Sequence, residues 1–183
     1  MEATRKKTTT FNIVMVGLSA ALICIAGPFA IPIPFSPVPI SLIPLAIFIC
    51  AFLLDWKLCG LSYVIFLLLG MVGLPVFSGF SGGLAKLAGP TGGYLIGFIF
   101  TALICGFFVT KFDKIYMYVT GMVLGIIIAY LFGTVWFTIQ QDTNFITALS
   151  LCVIPYLPGD VIKIVIAVLV GPILKKRIAK LSI

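Results

Sequence analysis

Long apolar stretches, separated by short polar turns, constrain the fold of this chain more than any other feature of its sequence. Most of them are long enough to cross about 30 Å of hydrocarbon as a helix. Only 9% of the 183 residues are charged and 62% are hydrophobic, a composition that excludes an ordinary soluble domain. The sequence therefore predicts an all-α, polytopic membrane protein that is embedded in lipid and forms a single domain over residues 1–183.

The positions of the apolar stretches predict six transmembrane helices. A short basic N-terminus, residues 1–10, precedes the first, which we expect to be retained because no small-residue cleavage site follows it. The proline-rich segment Ile31–Pro39 cannot be regular helix, since proline lacks the amide donor, and we expect it to cross the end of the bundle as extended chain. The six predicted spans cover about residues 11–27, 40–54, 58–74, 91–110, 115–139 and 155–174.

The distribution of basic residues predicts the orientation in the membrane. Ten of the 12 lysines and arginines fall on one face of the six-span arrangement. By the positive-inside rule that face is cytoplasmic, so both termini are predicted to be cytoplasmic. The other two, Lys86 and Lys163, are predicted on the outer side. The net charge of +7 is thus explained by topology, and we expect no nucleic-acid partner.

Asp160 and Lys163 are the strongest candidates for a binding site because they lie inside the last predicted span. Their spacing places both side chains on one helix face, about one turn apart. Charges in or near hydrocarbon are expensive, which indicates a functional site. A structural interpretation is also open: the helix dipole favours Asp160 in the first turn, and Lys163 would pair with it or extend toward water.

Further binding candidates lie in the glycine-rich loop 75–90 and at the start of the fourth span. These segments, the proline-rich segment and the start of the last span are all predicted to emerge at the outer face. Apolar walls with a few polar groups are typical of a small-molecule pocket, although Lys86 could equally be an exposed loop lysine. Besides Asp160 and Lys163, the predicted substrate-binding residues are Lys86, Tyr94, Thr91, Ser78, Ser81 and Phe77.

Small residues spaced four apart form ridges that allow close contact between helices. Most such ridges pack inside a bundle, and at least one could face a partner protein; the sequence does not distinguish these cases. The pairs are Gly17 and Ala21, Ala20 and Cys24, Gly93 and Gly97, and Gly121 and Gly125.

The sequence has none of the common signatures of an enzyme. It contains no histidine, no G-x-S-x-G, no H-E-x-x-H and no G-x-x-x-x-G-K-[ST] loop, so it is not expected to hydrolyse ATP itself. The five cysteines are scattered without C-x-x-C spacing, which indicates small apolar residues rather than a disulfide framework or a zinc site. We predict no catalytic residue, no metal and no cofactor.

Five segments together resemble the BioY family, whose members are the biotin-binding S components of energy-coupling factor (ECF) vitamin transporters. The resemblance runs from about residue 11 to 175. One difference is Ile40–Ile43, where family members often carry a Thr/Gln pair. The segments that resemble the family are Ile31–Pro39, Gly73–Phe77, Gly82-Gly83, Gly89–Leu95 and Pro155–Lys163.

The resemblance implies a six-helix S-component fold in the bacterial cell membrane with a high-affinity, outward-facing biotin site. It also implies dependence on an ECF transmembrane coupling subunit and two ABC-type ATPase subunits. Asp160 would accept from a ureido N–H of biotin, and Lys163 would donate to the ureido carbonyl or neutralise a carboxylate. Lys86 or the serines of the loop would receive the valerate carboxylate. The nearest matches to the small residues with which family members dock the coupling subunit are Gly17, Ala20, Ala21 and Cys24.

Other functions remain compatible with the sequence. The same architecture could bind dethiobiotin or another small anionic vitamin. The chain could also be a stand-alone facilitator, or a membrane scaffold in which the Asp160–Lys163 pair is purely structural.

Overall fold

Helices make up most of the chain in the computed structural model, which describes residues 2–33 and 36–181. A 3₁₀ helix, Ile154–Tyr156, precedes the last helix. The other described elements, in chain order, are α1 (Glu2–Ala26), β1 (Ala30–Ile33), β2 (Ser36–Ser41), α2 (Ile43–Leu53), α3 (Trp56–Met71), α4 (Leu84–Ala88), α5 (Gly92–Lys111), α6 (Ile115–Gln141), α7 (Phe145–Cys152) and α8 (Leu157–Leu181).

Each of the six predicted spans corresponds to one of the larger helices: α1, α2, α3, α5, α6 and α8. The helix α1 begins at Glu2, before the predicted start of its span, and α8 continues past residue 174 to Leu181. The helix α2 has only 11 residues, which is about 16 Å of helix. The short helices α4 and α7 lie between predicted spans. Apolar length therefore located the helices, while their ends differ by several residues.

The prediction of an all-α fold needs one correction at the proline-rich segment. The strands β1 and β2 pair antiparallel, with Ala30 opposite Ser41 and Ile31 opposite Ile40, and an irregularity separates Ile31 from Ile33. In a two-stranded sheet both strands are edge strands, which tolerate proline. The segment is extended, as predicted, but it folds back as a hairpin. Pro34 and Phe35, also part of the predicted crossing, lie outside the described residues.

Three helical stretches in the described part of the chain are long and apolar enough to cross a membrane. Shorter apolar helices accompany them at Thr10–Ala26, Ile43–Leu53 and Trp56–Met71. The chain is an integral membrane protein, and its exposed apolar side chains are accordingly suited to contact lipid. The three long stretches are Gly92–Lys111, Ile115–Gln141 and Phe145–Ile178, the last of which combines α7, the 3₁₀ helix and most of α8.

The helices α5 and α6 pack closely because glycines on both of them face the partner helix. A Cβ atom on Gly97 would lie 2.9 Å from Ala129 Cα, and one on Gly125 would lie 3.1 Å from Thr101 Cα. Thr101 Oγ1 also donates to Gly125 O at 2.8 Å. Small residues at the interface let the backbones approach, as is typical of membrane helices. The predicted ridges of Gly93, Gly97, Gly121 and Gly125 thus lie inside the bundle.

The core between the helices is apolar and aromatic. Tyr63, Phe66 and Phe48 are fully buried, and Tyr63 OH donates to Leu95 O at 2.8 Å. All five cysteines lie in the described part of the chain and are free thiols, four buried and Cys24 half-buried. Their role as small apolar residues is as predicted.

Candidate functional site

A cavity opens at the end of the bundle that carries the β hairpin. The space between its walls, including the part that is open to the outside, is about 640 Å³, and apolar walls with a few polar groups are typical of a small-molecule site. Strand β2 and the start of α2 form one wall, α5, α6 and α8 form others, and Ser78 and the α4 residue Lys86 complete the lining. The apolar part of the lining consists of Val38, Pro39, Ile43, Pro44, Leu95, Phe98 and Ile126, and the polar part of Ser41, Ser78, Lys86, Thr91, Tyr94, Tyr130, Tyr156, Asp160 and Lys163.

Asp160 and Lys163 form a buried ion pair on the wall of this cavity. Lys163 Nζ lies 3.0 Å from Asp160 Oδ1, and each side chain is only 8% exposed. Asp160 stands in the first turn of α8, so the helix dipole stabilises its negative charge. The geometry is compatible with both interpretations drawn from the sequence, because the two charges pair within one helix and both side chains line the cavity.

Three tyrosines line the cavity together with this ion pair, and one of them donates a hydrogen bond to it. Tyr130 on α6 donates a hydrogen bond from its hydroxyl to Asp160 Oδ2. Tyr156 donates to the carbonyl of Val38 and so ties the start of α8 to the hairpin. Tyr94 on α5 packs edge-on against Tyr130 with the ring centroids 6.4 Å apart, and its hydroxyl is 3.3 Å from Thr134 Oγ1. This wall is therefore aromatic in bulk and polar at a few fixed points.

The ring of Tyr94 has room only because residue 133 is a glycine. A Cβ atom at Gly133 would lie 2.2 Å from Tyr94 Cδ1, far inside van der Waals contact. The close α5–α6 packing thus places Tyr94 and Tyr130 side by side on the cavity wall.

Lys86, Thr91 and Ser78 line the cavity as well, and all three are partly exposed. Lys86 lies on α4, and none of the described carboxylates forms an ion pair with it. Lys86 and Lys163, the two basic residues predicted on the outer side, therefore both line this cavity. The cavity thus has two sites with charged side chains. The Asp160–Lys163 pair carries no net charge, whereas Lys86 contributes a single positive charge.

Phe77 and Ser81, also predicted as site residues, lie outside the cavity lining and support the loop instead. Phe77 is fully buried and packs edge-on against Phe66 at 5.5 Å, because an aromatic ring gains more from the core than from an open loop. Ser81 Oγ donates to Ser78 O at 2.9 Å, and Ser81 O accepts from Phe77 N at 2.9 Å. The two residues hold the turn that presents Ser78.

The small residues of α1 differ in exposure. Gly17 and Ala21 are exposed, and a Cβ atom on Gly17 would meet nothing within 4 Å. Ala20 is buried at 3% exposure, and the half-buried Cys24 packs against the core. Of the four predicted docking residues, the structure leaves Gly17 and Ala21 accessible from outside the bundle.

Tyr130 and Ser41 line the cavity although neither was among the predicted site residues. Tyr130 lies in the middle of a predicted span, where a phenolic hydroxyl must find a partner, and that requirement could have marked it. Ser41 Oγ accepts from Ile43 N at 3.1 Å at the start of α2, and a serine just before an apolar stretch resembles an ordinary helix start. Among the described residues, no cluster of histidine, cysteine or acidic side chains could hold a metal ion.

Known proteins are similar to this chain in sequence over nearly its whole length. The model of the BioY family matches residues 2–180. The biotin transporter BioY of Thermotoga maritima is 37% identical over 166 residues, covering 90% of this chain and 96% of that protein. The biotin transporter BioY of Rhizobium etli is 33% identical over 173 residues, covering 89% and 92% respectively. These matches confirm the resemblance inferred from the motifs.

A solved structure is similar over almost the same length. It is the crystal structure of the S-component for biotin from an ECF-type ABC transporter, with a TM-score of 0.80 and 33% sequence identity. The match covers 96% of this chain and 94% of that one, so it extends over nearly the whole of the fold that forms the cavity.

Proposed function

This chain belongs to the BioY family, and from that membership we propose that it is the biotin-binding S component of an ECF-type transporter. It captures biotin at the cavity and is not itself an enzyme. The observation that carries the proposal is the buried Asp160–Lys163 pair, with side chains 8% exposed, on the wall of a largely apolar cavity. Two desolvated charges at an open cavity provide strong, directional hydrogen bonds to a ligand.

The chemistry of the cavity suits biotin from one end to the other. Biotin carries a neutral ureido ring with two N–H donors and a carbonyl acceptor, an apolar thiophane and an anionic valerate. The Asp160–Lys163 pair is neutral overall and offers one acceptor and one donor, which suits the ureido group. The aromatic and aliphatic lining suits the thiophane. Lys86, which has no carboxylate partner among the described residues, suits the valerate carboxylate, with Ser78 and Thr91 nearby.

We place all six larger helices across the cell membrane, with both termini in the cytoplasm. The support is the distribution of basic residues, which follows the positive-inside rule. The helix α2 is shorter than the hydrocarbon layer, but its start lines the cavity. Irregular backbone at membrane depth is tolerated where protein or a water-filled cavity covers it. The cavity then faces outward, where it meets biotin before transport.

Transport itself requires other subunits in this proposal. The chain has no phosphate-binding loop of the ATPase type, so ATP hydrolysis belongs to two separate ATPase subunits coupled through a shared transmembrane subunit. The exposed residues Gly17 and Ala21 on α1 support docking of that subunit, since small residues permit close approach of another helix. Ala20 and Cys24, by contrast, serve packing within the bundle.

Equilibrium dialysis of biotin against the purified protein in detergent tests the proposal. We expect submicromolar binding by the wild type and a loss of about tenfold or more in Lys163→Met, because the ligand and Asp160 then both lose a charged donor. Lys176→Met is the matched control: this exposed lysine lies on the same helix, outside the cavity, and should leave the affinity unchanged. Wild-type binding that is micromolar or weaker would contradict the proposal, and tighter binding of dethiobiotin would reassign the ligand.

A further inference from the structure

Both oxygens of the Asp160 carboxylate receive a hydrogen bond, and the two donors come from different helices. Lys163, three residues along α8, donates to Oδ1 at 3.0 Å. Tyr130, on α6, donates to Oδ2. A lysine on the same helix can follow the carboxylate as it rotates, because its stem is long and flexible. A donor on a second helix fixes the plane of the carboxylate relative to the cavity.

Tyr130 is itself held rigidly. Its ring packs edge-on against Tyr94, with an interplanar angle of 78°, and contacts both apolar clusters of the core. Behind it, α6 is held against α5 by the glycine contacts at Gly97 and Gly125. A tyrosine has only two main side-chain torsions, and here the Tyr94 ring and the apolar clusters pack against the side chain. Its hydroxyl is therefore a donor at a fixed position before any ligand arrives.

We propose that Tyr130 is a positioning residue that orients the Asp160 carboxylate so that its remaining lone pairs point to the N–H donors of the ligand. This inference rests on the proposed function, because it assigns Asp160 as the acceptor for the ligand. Supporting groups that lock a binding side chain in its productive geometry raise affinity without touching the ligand. Loss of the hydroxyl frees the carboxylate to turn toward Lys163, and the ligand must then reorient it.

A purely structural role predicts different behaviour. If Tyr130 only satisfied a buried carboxylate, its removal would lower stability and leave the affinity of the folded protein nearly unchanged. If it positions Asp160, its effect on affinity must disappear once residue 160 is no longer a carboxylate. The two roles therefore differ in how the substitutions at 130 and 160 combine.

A measurement without ligand comes first. Infrared spectra of protein with isotope-labelled aspartate, compared between the wild type and Asp160→Asn, identify the carboxylate band of Asp160. We expect Tyr130→Phe to shift that band, since the stretching frequency responds to hydrogen bonding. Tyr118→Phe is the matched control, because it also removes a hydrogen bond from a tyrosine to an aspartate, here Asp113 at 3.4 Å. Tyr118 lies about 18 Å from Tyr130 along α6. An unshifted band in Tyr130→Phe would overturn the proposal.

The second measurement is a double-mutant cycle in which Tyr130→Phe and Asp160→Asn are combined and the affinity for biotin is measured. We expect Tyr130→Phe to weaken binding about tenfold in the wild-type background and less than about twofold in the Asp160→Asn background. Equal losses in both backgrounds, or a shifted band with unchanged affinity, would overturn the positioning role. If the wild type does not bind biotin, the proposed function fails on that result alone, while the infrared comparison still decides whether Tyr130 holds Asp160.

Discussion

Among the described residues, two aspartate–lysine pairs involve α8, and their N–O distances are almost the same although one pair is buried and the other exposed. Lys163 Nζ is 3.0 Å from Asp160 Oδ1, with both side chains 8% exposed, whereas Lys175 Nζ is 2.8 Å from Asp113 Oδ1, with exposures of 33% and 89%. Lys163 and Lys175 are separated by about 18 Å along the helix. The shorter pair is the more exposed one, so distance does not indicate which pair matters for binding.

The exposed pair connects α8 to the turn between α5 and α6. Lys175 Nζ also donates to Val109 O at 2.9 Å and lies 5.6 Å from the centre of the Tyr118 ring. Water and salt screen such a pair, and exposed ion pairs contribute little to stability. Its contribution is to connect α8 to the end of α5 and the turn that follows it.

The buried pair has the opposite character. Removing two charges from water is expensive, so a buried pair is weak evidence for stability. It is strong evidence for recognition when it lines a cavity, because desolvated donors and acceptors left without a partner penalise the wrong ligand. Burial and position, rather than the ion-pair bond itself, therefore distinguish a binding pair from a structural one.

The largest difference between the pairs should appear in biotin affinity. We expect Asp160→Asn to weaken binding about a hundredfold, since it removes the charged acceptor and leaves Lys163 unpaired. Asp113→Asn should stay within about twofold of the wild type, because water already screens its charge. Equilibrium dialysis of both variants measures this, and equal losses from the two substitutions would show that the pairs do not differ in function.

A smaller effect should appear when both buried charges are removed together. Asp160→Asn alone leaves the buried charge of Lys163 without a partner, whereas Asp160→Asn combined with Lys163→Met leaves no unpaired charge. We expect the double variant to recover part of the apparent melting temperature lost by the single variant, without any recovery of biotin affinity. Thermal melting in detergent and dialysis on the same preparations separate these results. A double variant that melts no higher than the single one would contradict the cost assigned to the unpaired charge.

The smallest effect should be the pH dependence of the exposed pair. The hydrogen bond and charge of Lys175 lower the pKa of Asp113 below its ordinary value of 3.8. A lowered pKa means that the stabilisation is complete above the ordinary value and is lost as the pH falls through the lowered one. The difference in melting temperature between the wild type and Asp113→Asn should therefore be constant near pH 7 and vanish in acid.

The control for this measurement is Asp142→Asn. Asp142 is exposed and forms no ion pair with any described residue, so its substitution should change the melting temperature little. A difference between wild type and Asp113→Asn that grew on acidification would have the wrong sign for a lowered pKa and would show that Lys175 does not stabilise the Asp113 carboxylate.

Several features of the site were predictable from residues alone. A charge inside an apolar stretch is costly wherever the chain goes, so Asp160 and Lys163 were identifiable from their positions in the sequence. Lys86 was identifiable because it departs from the charge distribution of the other basic residues. Both lysines line the cavity. The location of the helices followed from apolar length in the same way, because the thickness of the hydrocarbon layer sets it.

The faces of those helices were not predictable. A helix that is apolar on all sides has no periodic stripe to show which residues point inward. Phe77 was therefore expected at the site but is fully buried in the core, and Tyr130 was overlooked although its hydroxyl reaches Asp160. The spacing of Gly17 and Ala20 did not show that Gly17 is exposed and Ala20 is buried.

Composition, length and order along the chain were enough to establish the class of protein, the approximate helices, the unusual charge pair and the family resemblance. Three other features became visible only in the folded molecule: the proline-rich segment folds back as a hairpin, Tyr130 donates a hydrogen bond to Asp160, and Ser81 supports the loop instead of lining the cavity. These features depend on which side chains meet across helices. In a membrane protein the sequence does not show which side chains form those contacts, because lipid-facing and core-facing positions are equally apolar.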